Sequence, residues 1–313
     1  MTRCRVTFRP ACLLLLMVFS LAVGAQPQSG PGTQLAQVRA DDGQTLAVWS
    51  RVSAQPRGTV LLVHGRTWSS LPNFDLQVPG EAADARSVLA AFARAGLAAY
   101  AVDLRGYGGS ARDRSGWNTP ARAVRDVAQV LAWVARQHPG LPPPALIGYS
   151  NGARVALLIG QQQPQAVSAL VLYGFPDDVD APPTDAPTPA QSLRARTTIA
   201  AAGEDFITAN AAPAGVRAAY QAQAVAADPV RTDWRAMEQF AFQPEQVTTL
   251  PVLLLRGVDD PIATQADNAH LFARLHSEDR SWVTLPRADH VAHVEDTHAA
   301  WVETVVGFLR RPR

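Results

Sequence analysis

The sequence predicts an α/β protein: a mostly parallel central sheet with helices on both faces, interrupted by an inserted helical cap. Three observations carry this. Short, continuously apolar runs alternate with amphipathic helical stretches, the pattern of parallel strands joined by right-handed crossovers and covered on both faces. The alternation stops at Gly174, where residues 177–189 are rich in Asp and Pro and residues 190–242 read as several helices with no convincing strand. It resumes at Val252. The expected organisation is a signal peptide over 1–25, a core made of 26–174 and 248–313, and a helical cap over 175–247.

The first 25 residues are set aside from the fold. Arg3, Arg5 and Arg9 form a positive segment, residues 11–23 an apolar one, and Val23-Gly24-Ala25 a small-residue cleavage site, so export to the periplasm or medium is expected. The apolar run is shorter than the ~20 residues of a membrane span, and no stable membrane association is expected after cleavage. Cleavage would remove three Arg and no acid, taking the formal charge from +1 to −2, and would remove both cysteines, Cys4 and Cys12. A chain with no basic run is a poor nucleic-acid ligand; all 28 of its Lys and Arg positions are Arg.

Taken in order, residues 26–34 read as a flexible leader, and Leu35–Ala40 and Thr45–Ser50 flank Asp41-Asp42-Gly43 as an antiparallel hairpin. Thr59–Val63 is apolar throughout, as a central strand covered on both faces would be, and runs into His64-Gly65-Arg66. Ala82–Ala95 predicts a helix stopped by Gly96, followed by a strand over Ala98–Val102. Pro120 opens a helix reaching about His138, with Val124, Val127, Ala128, Leu131 and Val134 on one face. Ala145–Tyr149 predicts a strand, residues from Asn151 a buried helix, and Val167–Tyr173 the next strand. Beyond the insertion, strands are expected at Val252–Leu255 and Trp282–Leu285, and helices at Asp267–Leu275 and from about Thr297 to Leu309.

The chemistry centres on Gly148-Tyr149-Ser150-Asn151-Gly152. A Gly-x-Ser-x-Gly between a strand and a helix is the context of a nucleophile elbow: the glycines let a sharp turn close, and the helix aims its first amides at an oxyanion forming above the serine. Serine needs a base to take its proton and a carboxylate to fix that base's tautomer. In an open parallel sheet such groups gather at the carboxyl ends of strands. Asp259 and Asp260 follow one apolar strand and His290 follows another, so the chain order is Ser, Asp, His.

With these residues in view, the chain resembles the α/β-hydrolase fold superfamily over nearly all of residues 36–310. The matching motifs are His64-Gly65, Asp103-x-Arg105-Gly106-x-Gly108-x-Ser110, Gly148-x-Ser150-x-Gly152, Gly257-x-x-Asp260, and the His290 loop running to Glu295-Asp296. The resemblance implies Ser150 as nucleophile, His290 as general base and Asp260 as acid, with Asp259 the disfavoured neighbour. It implies the backbone amides of Arg66 and Asn151 as oxyanion donors. Family members often carry a small or apolar residue after His-Gly, where this chain has Arg66-Thr67-Trp68, so the character of the pocket is open at this point. Arg66, Trp68 and Tyr149 are candidates for substrate contact, and Trp117 and Trp234 for pocket lining. The Arg66 side chain has a competing role, pointing to solvent or pairing with Asp75 or Glu81 in its own loop.

The expected function is that of an exported serine hydrolase cleaving a small carboxylic ester through an acyl-enzyme. Epoxide hydrolases and haloalkane dehalogenases of this fold place Asp at the nucleophile, and dienelactone hydrolases place Cys. Peptidase, cofactor-free perhydrolase and lyase activities use the same triad and remain as alternatives. A binding protein on a hydrolase scaffold is the alternative of another class, disfavoured because no triad member is missing. No cofactor is expected, since no dinucleotide-binding glycine motif follows the first parallel strand, and no metal, since no His/Cys/Glu cluster has ligand spacing.

Overall fold

A computed structural model gives the structure of the protein, and it describes Met1 and residues 29–112, 114–115, 117–181, 195–208, 210–234 and 240–311. The expected signal peptide and leader therefore lie outside the described residues, apart from Met1 and residues 29–34.

The hairpin β1 (Gln34–Arg39) and β2 (Thr45–Val52) is antiparallel, as Asp-Asp-Gly predicted, with Gln34 opposite Ser50. β3 (Thr59–Val63) is buried at all five positions. Its side chains alternate between two cores, Val60 and Leu62 facing one, Leu61 and Val63 the other. A five-residue helix, α1 (Ser70–Phe74), follows, with no counterpart in the sequence reading. One turn is too short to show a helical period; it is fixed by tertiary bonds, the Asp103 carboxylate accepting from the Ser70 amide at 2.9 Å.

The helix expected over 82–95 is shorter. α2 spans Val88–Arg94 and is capped by Ser87, whose hydroxyl accepts from the Ala90 amide at 3.0 Å. Ahead of it Asp84 takes a left-handed φ of 64° and Arg86 is pulled toward the C-terminal part of the chain, its guanidinium donating to the Glu295 carbonyl at 2.6 Å. β4 (Ala98–Val102), the two-residue β5 (Trp117–Asn118) and α3 (Pro120–Gln137) come next; Thr119 caps α3 and Pro120 occupies its first position. β6 (Ala145–Tyr149), α4 (Asn151–Gln162) and β7 (Leu170–Tyr173) complete the first half.

Between β7 and the next sheet strand lie α5 (Ile199–Gly203), α6 (Ala214–Ala227) and β8 (Asp233–Trp234). The expectation of helices without strand is corrected here: β8 pairs in parallel with β5, Trp117 opposite Asp233 and Asn118 opposite Trp234. Two residues give no alternating pattern, and the partner lies over a hundred positions away. α6 lies against α1, the Tyr220 hydroxyl reaching Asn73 Oδ1 at 3.3 Å. The main sheet resumes with β9 (Val252–Gly257), α7 (Gln265–Arg274), β10 (Arg280–Leu285) and α8 (His298–Leu309).

The eight-stranded sheet runs β1-β2-β4-β3-β6-β7-β9-β10, antiparallel at its first two junctions and parallel thereafter. Residues of α3, α4 and α7 pack on one face; those of α2 and α8 pack on the other. This is the mostly parallel, two-faced sheet expected from sequence. The parallel strands β3, β4, β6, β7, β9 and β10 therefore point their carboxyl ends at one rim, where Gly65, Ser150, Gly174, Asp260 and His290 emerge.

Candidate active site

Ser150 sits between β6 and α4 with φ 52° and ψ −117°, a conformation that non-glycine residues rarely adopt and that costs of order 1–3 kcal/mol. The turn is held by the Ser150 amide donating to the Tyr173 carbonyl at 2.8 Å. Its two glycines are sterically required. A Cβ on Gly148 would lie 2.2 Å from the Gly152 carbonyl oxygen, and one on Gly152 would lie 2.2 Å from the Val63 carbonyl oxygen. The elbow thus wedges against the end of β3, which carries the other side of the site.

His290 is 5% exposed, and its Nδ1 lies 2.8 Å from Asp260 Oδ2. The other Asp260 oxygen accepts from the amides of Ile262 and Ala263, both at 2.9 Å. The carboxylate thus orients the imidazole with one oxygen and closes its own turn with the other; the helix beyond is capped separately by Thr264. Burial alone would raise the Asp260 pKa, but the hydrogen bond and charge of His290 and the two amides outweigh it and hold the group below the usual carboxylate range. Asp259 is exposed, and it is Asp260 that meets His290.

His64 fixes the strand end opposite the elbow. It is fully buried, its Nε2 accepts from the Leu104 amide at 3.0 Å, and its Nδ1 donates to the Gly65 carbonyl at 2.7 Å. Burial pushes its pKa down to about 4, so the neutral ring serves as a brace. The Arg66 carbonyl accepts from the Tyr107 hydroxyl, which in turn accepts from Trp234 Nε1 at 2.8 Å. Among the described residues no group accepts from the Arg66 or Asn151 amide. The Asp103–Ser110 motif serves this loop: Asp103 accepts from Trp49 Nε1 and from the Ser70 and Gly109 amides, while Arg105 is bound by Asp42 and Asp126.

A cavity of about 290 Å³ brings together Ser150, His290, Arg66, Asn151, Trp68 and Tyr149, all singled out in the sequence. Trp117 and Trp234 do not line it; they form the small β5–β8 pair, and Trp234 acts through Tyr107. Of the competing roles for Arg66, the pairing with Asp75 or Glu81 is corrected, while the solvent-facing one agrees with the structure. The Arg66 side chain is exposed; Asp75 is engaged by Gly30, Thr33 and Ser87, and Glu81 by Arg86. Six further lining residues went unread in the sequence, the polar Asn73, Arg154, Asp205 and Tyr220 and the apolar Pro176 and Ile262. Asp205 accepts from the Tyr220 hydroxyl at 2.7 Å, and burial raises its pKa to about 6 despite that bond. Neither residue lies in a motif, and both come from the segment whose path over the rim only the fold sets. Asp178, Asp180 and His270 come within 4.8 Å of one another at the surface, outside the cavity, with Asp180 also paired to Arg274.

A strained serine, a buried His–Asp pair and two amides with no acceptor among the described residues thus lie around one cavity. The family model described as serine aminopeptidase, S33 matches residues 54–297. A monoacylglycerol lipase of Mycolicibacterium smegmatis is 32% identical over 127 residues, covering 41% of this chain and 40% of the lipase, so the match spans well under half of that relative. Among solved structures, a serine hydrolase involved in carbazole degradation superposes with a TM-score of 0.61 at 17% identity, covering 88% of this chain and 98% of that one. An E-2-(acetamidomethylene)succinate hydrolase gives 0.59 at 20% identity, covering 89% and 100%. At these identities the structural likenesses establish the fold.

Proposed function

Because the chain belongs to the serine aminopeptidase S33 family, hydrolases of the α/β-hydrolase fold, we propose that it hydrolyses a small carboxylic ester through an acyl-enzyme on Ser150. The observation that carries this is the 2.8 Å His290–Asp260 pair opening on the same cavity as the strained Ser150. His290 takes the Ser150 proton at Nε2, since Nδ1 faces Asp260. The Ser150 oxygen bonds to the ester carbon, and the amides of Arg66 and Asn151 receive the oxyanion. Collapse expels the alcohol, which leaves with the proton held by His290. Water, deprotonated by the same imidazole, then releases the acid and restores Ser150.

The lipase relative favours an ester over a peptide bond, and the cavity volume favours a short acyl group. The cap is assigned to the segment over 175–247, whose described residues Asp205 and Tyr220 line the cavity. Export rests on the Arg-rich, apolar and small-residue order of the first 25 residues and predicts a mature N-terminus at Gln26. Screening purified protein against alkyl esters graded by acyl length, beside aminoacyl amides, tests the reading. Short esters should turn over best, and Ser150→Ala should lose about 10⁴-fold or more in kcat. Amide cleavage exceeding ester cleavage would make it a peptidase.

Arg66 gives the pocket a finer specificity. Its guanidinium is not held by a neighbouring carboxylate among the described residues, and it borders the cavity beside the oxyanion amide. It binds a carboxylate on the substrate. Arg66→Gln should cost about 10- to 100-fold in kcat/KM for a carboxylate-bearing ester and little for its neutral analogue. Equal losses on the two would make Arg66 structural.

A further inference from the structure

His290 lies at the start of a loop whose two ends are both acidic and both fully buried, Asp289 and Glu295, each with 0% exposure. The Asp289 amide donates to Glu295 Oε2 at 3.3 Å, closing the seven residues into a ring. The Asp289 carboxylate accepts from the Val291 amide at 3.0 Å and from the Thr208 amide at 2.7 Å. Thr208 belongs to the segment between β7 and β9 that also delivers Asp205 to the cavity. The ring is held elsewhere by the Tyr173 hydroxyl on the His290 carbonyl at 2.8 Å and by Arg86 on the Glu295 carbonyl. Glu295 Oε1 is buried and has no hydrogen-bond donor among the described residues.

A buried carboxylate oxygen with no donor is strongly disfavoured, whereas a carboxylic acid at the same place is itself a donor. The Asp289 amide, 3.3 Å from Glu295 Oε2, sets the two acidic residues side by side. We propose that a protonated Glu295 side chain hydrogen-bonds to Asp289 and thereby forms a clasp that positions His290 and ties its loop to Thr208. Glu295 donates its proton to the Asp289 carboxyl group, and the Asp289 oxygens stay fixed on the amides of Val291 and Thr208. Both are positioning residues: they act through the backbone of His290.

Burial, then the hydrogen bond and charge of Asp289, push the Glu295 pKa up to about 9, so the clasp opens as pH rises through that value. The charged and titratable groups around it come from every neighbouring element. They are His290 and His293 in the loop, Asp260 after β9, Tyr173 on β7, Asp205 ahead of α6, Arg217 on α6, His298 on α8, and Arg86 with its partners Glu81 and Asp296. The arginines remain cationic throughout, and burial raises Tyr173 well above its ordinary value, so Glu295 is the group that changes charge.

The inference rests on the Ser150–His290 reading, and the test separates the two. Wild-type protein is first labelled with a fluorophosphonate, which titrates active sites. Then kcat and KM for para-nitrophenyl butyrate are measured from about pH 7 to about pH 10 in wild type, Glu295→Gln and Glu295→Ala. A glutamine amide can donate to Asp289 and accept from its backbone but does not ionise. Glu295→Gln should keep kcat within about threefold at pH 8 and lose the alkaline fall that wild type shows above about pH 9. Glu295→Ala should lower kcat about 10- to 100-fold with KM within about threefold. If the alanine variant fails to fold, the glutamine pH profile alone decides. A glutamine variant that keeps the alkaline fall, or loses as much as alanine, overturns the clasp. Failure of Ser150 to label in wild type overturns the catalytic reading and the clasp with it.

Discussion

Asp260 divides its two oxygens between a histidine and a turn, and this makes a sharp residue-scale prediction. Asp260→Asn should lower kcat by about 10³- to 10⁴-fold, because an amide can hold His290 in the wrong tautomer, whereas Asp259→Asn on the exposed side should change it by less than about twofold. Steady-state kinetics of the two variants check this, and the reverse ranking would transfer the role to Asp259. Ser150, Asp260 and His290 were legible because each follows a strand of the main sheet, where the backbone must leave the sheet and its side chain must meet the rim. Asp205, Tyr220 and Asn73 were not legible. Their place in the cavity depends on how α6 lies against α1, and no local pattern records that.

At the scale of elements, a relay crosses from the small β5–β8 pair into the oxyanion loop: Trp234 donates to Tyr107, and Tyr107 donates to the Arg66 carbonyl. Tyr107→Phe removes the central hydroxyl and leaves a buried indole N–H and a carbonyl without partners. It should cost about 1–3 kcal/mol of stability and lower kcat more than it raises KM, because the peptide that follows Gly65 loses its anchor. Denaturant melts and kinetics of the same variant check both halves; unchanged kcat in a destabilised protein would confine Tyr107 to packing. The main strands and the longer helices α3, α4, α7 and α8 were readable from period and caps. What sequence missed is short or set from afar: the single-turn α1, the two-residue β8, and the truncated start of α2, where Arg86 is drawn to the carbonyl of Glu295.

For the whole molecule, buried acids with raised pKa values set the alkaline side of stability. Glu295 at about 9 and Asp228 at about 7 bind protons more tightly when folded. Their contribution is fully present below the unfolded carboxylate range and is lost progressively as pH rises through the folded values. The lowered histidines His64, His293 and His298 act in the opposite sense, but only as pH falls below about 6.5, where their unfolded forms take up protons. Between about pH 7 and pH 9 the acids therefore dominate. Tm should fall by a few degrees over that window, and Glu295→Gln should flatten the slope. Scanning calorimetry at fixed ionic strength measures it, and a Tm that rises with pH would contradict the assignment. On the proposed reading, the architecture around these groups serves one end, which is to deliver a strained serine, its base and two amides to the same rim of a single sheet. Mass spectrometry of protein treated with a fluorophosphonate tests that claim most directly: one adduct, on the peptide carrying Ser150 and absent from Ser150→Ala, is the result expected. A folded protein that takes no adduct, or takes it on another residue, would contradict it.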